Sequence, residues 1–135
     1  MTSVYVLYTG GTIGSAGSPL APVSTADFQK LVETMPGLAN GRVDGYGIRY
    51  VIEGTPEPLD SSNMAPADWI AIARQIASVY AAHDGFVILH GTDTMAFTAS
   101  ALSFLFAGLS KPIVVTGSQL PLSFALNDAL ANLTG

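Results

Sequence analysis

Four apolar runs along the chain predict buried β-strands, and each run stops at glycine or polar residues. The runs are short and rich in β-branched and aromatic side chains, a combination that favours strands. They comprise residues 4–9, 48–52, 85–90 and 112–116. The polar segments 10–23 and 54–65, which follow the first two runs, predict long loops.

Between these runs, apolar residues recur at spacings of three and four, the pattern of helices with one buried face. Ser24 or Thr25 is suited to cap a first helix that continues to about residue 34. Pro66 favours the first turn of a second helix, in which Trp69, Ile72, Ala73, Ile76 and Tyr80 share one face. Two further helices are predicted at residues 94–107 and 126–133.

The alternation of strands and helices predicts an α/β fold with a mainly parallel sheet. Helices flank this sheet on both faces, which gives a three-layer arrangement of the Rossmann-like or flavodoxin-like type. In such sheets ligands bind beyond the carboxyl ends of the strands. A polar segment follows each predicted strand there, namely residues 10–14, 60–63, 91–94 and 117–119. The pattern therefore predicts that four segments converge on one candidate active site.

Composition narrows the functional classes. The 135 residues are 49% apolar and 11% charged, which is typical of one folded domain spanning residues 1–135. A formal charge of −5 and only five Lys and Arg residues argue against nucleic-acid binding. The chain has no Cys, and neither a secretory leader nor a membrane-spanning run is apparent. We expect a cytoplasmic protein that does not enter a membrane. The last predicted helix is short and no strand follows it, so we expect either a fragment of a longer chain or a short form that associates with a second copy.

The first candidate motif is Thr9-Gly-Gly-Thr-Ile-Gly14, directly after the first strand. A phosphate-binding loop is one interpretation, but the glycine spacing of dinucleotide loops and the Gly-Lys-Ser/Thr of triphosphate loops are both missing. A plain glycine turn remains an alternative. Against it, Thr12 stands between glycines, where the backbone can approach a ligand closely.

The second motif, His90-Gly-Thr-Asp-Thr-Met95, offers two hydroxyls and a carboxylate after the third strand. Thr92 or Asp93 could instead serve only as a helix cap. His90 suggests a catalytic base, although a single histidine that ends an apolar strand is more often a hydrogen-bonded core residue.

A third segment, Asp60-Ser-Ser-Asn63, gathers hydrogen-bonding groups before the second helix. Its alternative interpretation is a solvated turn. A metal site is poorly supported, because Asp60 and Asp93 have no histidine partners at ligand spacing.

Together, the first two motifs resemble the two signatures of the bacterial-type L-asparaginase family. Asp60-Ser-Ser-Asn-Met64 and Val115-Thr-Gly-Ser-Gln119 are similar to stretches of its cytosolic, type I branch. The resemblance runs from Val4 to the end of the sequence and corresponds to the family's N-terminal domain. It implies a C-terminal domain that these residues do not include.

The resemblance implies that Thr12 is the nucleophile that attacks the side-chain amide of L-asparagine, with L-glutamine as a possible second substrate. Thr92 and Asp93 match two members of the accompanying triad, and Asp93 also matches a residue that binds the substrate's α-ammonium group. The substrate-binding segment matches Asp60, Ser61 and Ser62. The family implies no cofactor, no metal and a homo-oligomer.

Two departures from the family pattern leave alternatives open. The triad lysine of the family lies downstream of the segment that matches residues 126–133, and Lys30 and Lys111 do not match it. The family's mobile lid carries a tyrosine where this chain reads Leu20-Ala-Pro-Val-Ser24. Two alternatives to the hydrolase therefore remain open. One is an amino-acid-binding domain with little turnover, and the other is the amidase component of an amidotransferase.

Overall fold

A five-stranded sheet lies at the centre of the computed structural model, which describes residues 1–135. The strands, in chain order, are β1 (Thr2–Gly10), β2 (Ser15–Ala16), β3 (Ala21–Pro22), β4 (Arg42–Val43), β5 (Ile48–Leu59), β6 (Gly85–Leu89) and β7 (Ile113–Thr116). Five of them form the sheet in the order β4-β5-β1-β6-β7, while β2 and β3 form a separate hairpin. Only the β4–β5 pair of the sheet is antiparallel. The predicted, mainly parallel α/β sheet is confirmed.

Helices cover both faces of this sheet. They are α1 (Thr25–Glu33), α2 (Pro66–Val79), α3 (Met95–Leu105) and α4 (Ala129–Thr134). Alternate residues of β1 enter two separate cores. Val6 and Tyr8 pack with residues of α1 and α4, whereas Tyr5 and Leu7 pack with residues of α2 and α3. Side chains on a strand point alternately to opposite faces, so this division produces the predicted three layers. None of the helices is long and apolar enough to span a lipid bilayer.

The prediction of a polar loop at residues 54–65 is wrong for its first half. β5 continues to Leu59 and pairs with β1 as far as Gly10, with a register shift between Tyr8 and Gly10. Two prolines, Pro56 and Pro58, made this segment resemble a loop. They are tolerated because β4 pairs only with the start of β5, so the outer edge of β5 is free where the prolines lie.

Two other elements differ from the predictions. The segment 10–23 is not a single loop, because it contains a short 3-10 turn at Thr12–Gly14 and the β2–β3 hairpin. The helix predicted at residues 126–133 begins only at Ala129. Just before it, the carboxylate of Asp128 accepts hydrogen bonds from the backbone N–H groups of Gln119 and Leu120, both at 3.0 Å.

Candidate active site

Three polar segments meet where β5, β1 and β6 end side by side in the sheet. A cavity of about 380 Å³ lies between them. Five of the six predicted site residues line it: Thr12, Asp60, Ser61, Thr92 and Asp93. The strand order accounts for this meeting, because the carboxyl ends of neighbouring parallel strands lie at the same edge.

Two glycines allow the three segments to touch. A Cβ atom on Gly11 would lie 2.6 Å from the backbone nitrogen of Gly91. A Cβ atom on Gly91 would in turn lie 2.4 Å from Oγ of Ser61. Real Cβ atoms do not approach other atoms so closely, so any side chain at either position would push the segments apart. The glycines of both motifs therefore bring Thr12, Thr92 and Ser61 to one cavity.

Thr12 begins the 3-10 turn that follows β1, and Gly11 precedes it with a φ of 85°. The hydroxyl of Ser15 donates to the carbonyl oxygen of Gly11 at 2.9 Å and closes this turn. The Thr12 side chain is half-buried and forms no hydrogen bond within the chain. Its hydroxyl is therefore held at the cavity without a competing partner.

The helix-cap interpretation of Thr92 and Asp93 is wrong. The residue at the N-cap of α3 is Thr94, and no side chain caps the helix. Instead, the Thr94 hydroxyl donates to the carbonyl oxygen of Ser61 at 2.6 Å and joins the second motif to the third. Neither Thr92 nor Asp93 forms a side-chain hydrogen bond within the chain, and the chain's one ion pair joins Lys30 to Asp27. A hydroxyl and a carboxylate are thus left available at the cavity.

Asp60 begins a short 3-10 turn, Ser61–Asn63, so the turn interpretation of this segment is correct locally. The Asp60 carboxylate accepts hydrogen bonds from the Ser62 hydroxyl at 2.8 Å and from the Ser62 backbone N–H at 3.0 Å. These bonds hold the pKa of Asp60 below its usual value. Ser62 itself is exposed and does not line the cavity. Ser62 therefore contributes to the site only through Asp60, whose carboxylate it holds in place.

His90 is a buried core residue rather than a group of the cavity, as the commoner interpretation predicted. Nδ1 lies 2.6 Å from the carbonyl oxygen of Gly91, which can only accept, so Nδ1 carries the proton. Burial lowers the pKa of His90, so the ring is neutral and Nε2 accepts from the Thr98 hydroxyl at 2.8 Å. Trp69 Nε1 donates to the same hydroxyl at 2.9 Å. With both ring nitrogens occupied, His90 is not available as a base at the cavity.

The fourth segment, residues 117–119, was predicted to reach the site. This prediction is wrong, because none of these residues lines the cavity. Gly117 packs beneath the second motif, where an added Cβ atom would lie 2.1 Å from the carbonyl oxygen of His90. Ser118 is buried, and its hydroxyl donates to the carbonyl oxygen of Leu120 at 2.6 Å. This segment therefore packs against the backbone of the second motif without reaching the cavity.

The sequence patterns missed other residues of the cavity wall, which share no polar motif. They are Ser15, Leu20, Pro22, Pro58 and Leu59. The first three belong to the β2–β3 hairpin and its approach, and the last two end β5. Recognising the hairpin within the Gly- and Pro-rich segment would have located the first three.

Comparison with known proteins decides the family. The family model described as Asparaginase, N-terminal, matches residues 3–135. The chain belongs to the asparaginase family. It is 49% identical over 133 residues to L-asparaginase 1 of Escherichia coli K12, an alignment that covers 97% of this chain and 38% of that protein. The chain thus spans about two fifths of the length of this relative.

Solved asparaginase structures share the fold. L-asparaginase I of Vibrio cholerae superposes with a TM-score of 0.88 at 46% identity, covering 98% of this chain and 39% of that one. A protein named "Probable Cytoplasmic L-asparaginase" from Campylobacter jejuni superposes with a TM-score of 0.71 at 33% identity, covering 98% and 38%. The three-layer arrangement described above is therefore that of an asparaginase N-terminal domain.

Neither lysine of the chain reaches the cavity of this asparaginase domain. Lys30 is exposed on α1, with Nζ 3.8 Å from Oδ1 of Asp27. Lys111 Nζ donates to the carbonyl oxygen of Tyr80 at 2.7 Å and lies 4.9 Å from the centre of the Tyr80 ring. The described residues therefore place four hydroxyls, those of Thr12, Ser15, Ser61 and Thr92, and two carboxylates at the cavity but no ammonium group.

Proposed function

We propose that this domain carries the nucleophile of an L-asparagine amidohydrolase, which converts L-asparagine and water into L-aspartate and ammonia. The observation that carries the proposal is the cavity at which Thr12, Thr92 and Asp93 meet Asp60 and Ser61. Its volume of about 380 Å³ suits a small ligand such as an amino acid. Membership of the asparaginase family supports the same reaction.

In the first step, Oγ1 of Thr12 attacks the side-chain amide carbon of asparagine. The Thr12 proton passes to a base, the bond between carbon and nitrogen breaks, and the nitrogen leaves as ammonia after taking up a proton. The product is an ester between Thr12 and the aspartyl group. Backbone N–H groups near Gly11 would stabilise the negative charge that develops on the amide oxygen.

In the second step, water attacks the ester carbon. Its proton is taken by the same base, and the ester bond to Thr12 breaks. Thr12 recovers its hydroxyl proton and aspartate is released. The two steps consume one water molecule and one amide and require no oxidant, reductant or cofactor.

Thr92 and Asp93 are the proposed partners of the nucleophile. A threonine hydroxyl reacts slowly unless a neighbour takes its proton, and Thr92 is suited to relay that proton because its hydroxyl is otherwise unoccupied. The final base would be a lysine, and neither Lys30 nor Lys111 lines the cavity. The proposal therefore assigns this lysine to residues outside positions 1–135.

Asp93, Asp60, Ser61 and Ser62 are the proposed binding groups for the backbone of the substrate. The free carboxylate of Asp93 would attract the α-ammonium group. Ser61 lies at the cavity, and its hydroxyl and neighbouring N–H groups would hold the α-carboxylate. Ser62 acts through Asp60, whose carboxylate it holds in place by two hydrogen bonds. L-Asparagine is the proposed substrate, and L-glutamine is a longer analogue that the same groups would recognise.

We also propose that the protein is cytoplasmic and a homo-oligomer. The name of the Campylobacter jejuni relative supports the first proposal. Membership of the asparaginase family, whose resemblance implies a homo-oligomer, supports the second. Light scattering on the full-length protein tests the second proposal, and a monomer at micromolar concentration would contradict it.

The reaction is tested by measuring ammonia release and aspartate binding on the same preparation of the full-length protein. We expect saturable ammonia release from L-asparagine together with calorimetric binding of L-aspartate. Saturable binding without any ammonia release would contradict the hydrolase and indicate a binding domain instead.

A further inference from the structure

The β2–β3 hairpin forms one wall of the candidate cavity. Its two strands are joined at their base by a hydrogen bond from the Val23 backbone N–H to the carbonyl oxygen of Gly14 at 2.8 Å. Leu20 and Pro22, which belong to the hairpin, line the cavity beside Thr12. Gly14 and Val23 are thus the two ends from which the hairpin projects.

One side chain contacts both ends. The hydroxyl of Tyr8 donates to the carbonyl oxygen of Val23, at 2.9 Å, and lies 3.3 Å from that of Gly14. Tyr8 is a fully buried residue of β1, and its ring stacks on Phe28 of α1 at 4.4 Å between ring centres. The central strand of the sheet is therefore connected directly to the base of the hairpin.

The fit around this hydroxyl is close. A Cβ atom on Gly14 would lie 2.4 Å from the Tyr8 hydroxyl oxygen, so only glycine leaves room for the contact. The stretch from Tyr8 to Gly14 contains Thr12, and the Tyr8 side chain returns to contact the end of that stretch. Movement of the hairpin base would therefore also move the turn that carries Thr12.

We propose that Tyr8 is a positioning residue, whose hydroxyl holds the β2–β3 hairpin against the cavity and the Thr12 turn in place. The catalytic part of this proposal rests on the proposed hydrolase function. Burial raises the pKa of Tyr8 to about 12, so the hydroxyl keeps its proton and remains a donor throughout the physiological range.

The test compares Tyr8→Phe with Tyr50→Phe in the full-length protein. Phenylalanine keeps the ring that stacks on Phe28 and removes only the hydroxyl. Tyr50 is the matched control, because its hydroxyl also donates to a carbonyl oxygen, that of Leu38, but lies away from the cavity. Thermal unfolding of both variants measures what loss of a phenol hydrogen bond does to the whole fold.

The first readout is hydrogen exchange of the peptide that spans residues 14–23, and it requires no catalytic activity. Since one hydrogen bond typically contributes about a factor of five to an opening equilibrium, we expect exchange about five-fold faster in Tyr8→Phe than in Tyr50→Phe.

The second readout is kinetic. A smaller fraction of molecules with the hairpin in place raises KM for asparagine by about the same factor and lowers kcat less.

Equal exchange rates for this peptide in the two variants would overturn the proposal. If exchange accelerates and no variant releases ammonia, the structural role of Tyr8 stands and the hydrolase function fails. If exchange accelerates and KM stays unchanged in an active enzyme, the catalytic part of the proposal is wrong. Should Tyr8→Phe not fold, Gly14→Ala displaces the hydroxyl instead, because the added Cβ atom would lie 2.4 Å from the Tyr8 hydroxyl oxygen, and an unchanged exchange rate in that variant would equally overturn the proposal.

Discussion

Gly11 and Gly91 lie in contact at the ends of neighbouring parallel strands, so close that a Cβ atom on the first would lie 2.6 Å from the backbone nitrogen of the second. Each glycine comes one residue before a threonine of the cavity, Thr12 or Thr92. Contact between the two turns therefore brings two hydroxyls to one place. The site depends on the absence of side chains at these positions as much as on the reactive groups themselves.

Gly91→Ala should damage the site through steric overlap alone. Its Cβ atom would lie 2.4 Å from Oγ of Ser61. Overpacking of this kind typically costs about 1–3 kcal/mol, and displacement of Ser61 should also raise KM for asparagine. Denaturant unfolding and steady-state kinetics measure the two effects. Gly85→Ala, at the other end of β6, is the control, because its nearest contact would be an ordinary 3.5 Å to Pro112. Equal behaviour of the two variants would contradict the packing argument.

Thr92→Val should abolish most activity without affecting the fold. The substitution is nearly isosteric and breaks no hydrogen bond, because the Thr92 hydroxyl has no partner within the chain. Loss of a group that relays a proton typically lowers a rate by about 10²–10⁴-fold, and we expect a decrease of that order in kcat. Ammonia release and thermal unfolding are the measurements. A kcat within a factor of two of the wild-type value would remove Thr92 from the mechanism.

Ser62→Ala should alter the pH dependence of the reaction. The Ser62 hydroxyl is the largest cause of the lowered pKa of Asp60, so its removal should raise that pKa. A carboxylate with a lowered pKa stays ionised to a lower pH, and the variant should lose the ionised form earlier as the pH falls. The acid limb of kcat/KM should therefore move to higher pH in Ser62→Ala but not in the surface control Ser103→Ala. Superimposable profiles would show that the ionisation of Asp60 does not set the acid limb of the reaction.

His90 should make stability depend on pH just below neutrality. Burial lowers its pKa in the folded state, whereas an unfolded histidine titrates near about 6.5. As the pH falls below that value, the unfolded chain binds a proton that the folded chain does not. The free energy of unfolding should then decrease by at most about 1.4 kcal/mol per pH unit, until the folded-state pKa is reached.

Urea unfolding checks this dependence. The free energy of unfolding is measured for the wild type and for His90→Asn at several pH values between neutrality and the onset of carboxylate titration. The variant keeps a donor for the carbonyl oxygen of Gly91 but cannot titrate. We expect a shallower slope for the variant. Parallel slopes would mean that the titrating group is elsewhere.

Most of the fold could be predicted from the sequence, because short apolar runs mark buried strands and glycines mark the points where those strands end. The apolar runs of β1 and β6 are buried on both faces, so composition alone marks them as strands. The second half of β5 was missed because Pro56 and Pro58 usually end strands. Their acceptance depends on which edge of the strand is free, and only the order of strands in the sheet determines that.

The site was predicted only in part, for a related reason. Thr12, Thr92 and Asp93 stand in motifs that a sequence shows directly, and the structure brings all three to the cavity. The segment 117–119 follows a strand like the others, but β7 lies at the edge of the sheet, one strand beyond β6. The contribution of Tyr8 was not apparent, since it depends on a hydroxyl that returns to contact Val23, fifteen residues further along the chain.

The central claim is that Thr12 is the nucleophile, and kcat of Thr12→Ala for asparagine tests it most directly. Thr34→Ala is the matched control, because Thr34 lies at the end of α1 and its hydroxyl donates to the carbonyl oxygen of Leu31, away from the cavity. We predict that Thr12→Ala folds normally and loses at least about 10³-fold in kcat, while Thr34→Ala keeps wild-type activity. Full ammonia release by a clean preparation of Thr12→Ala would contradict the assignment.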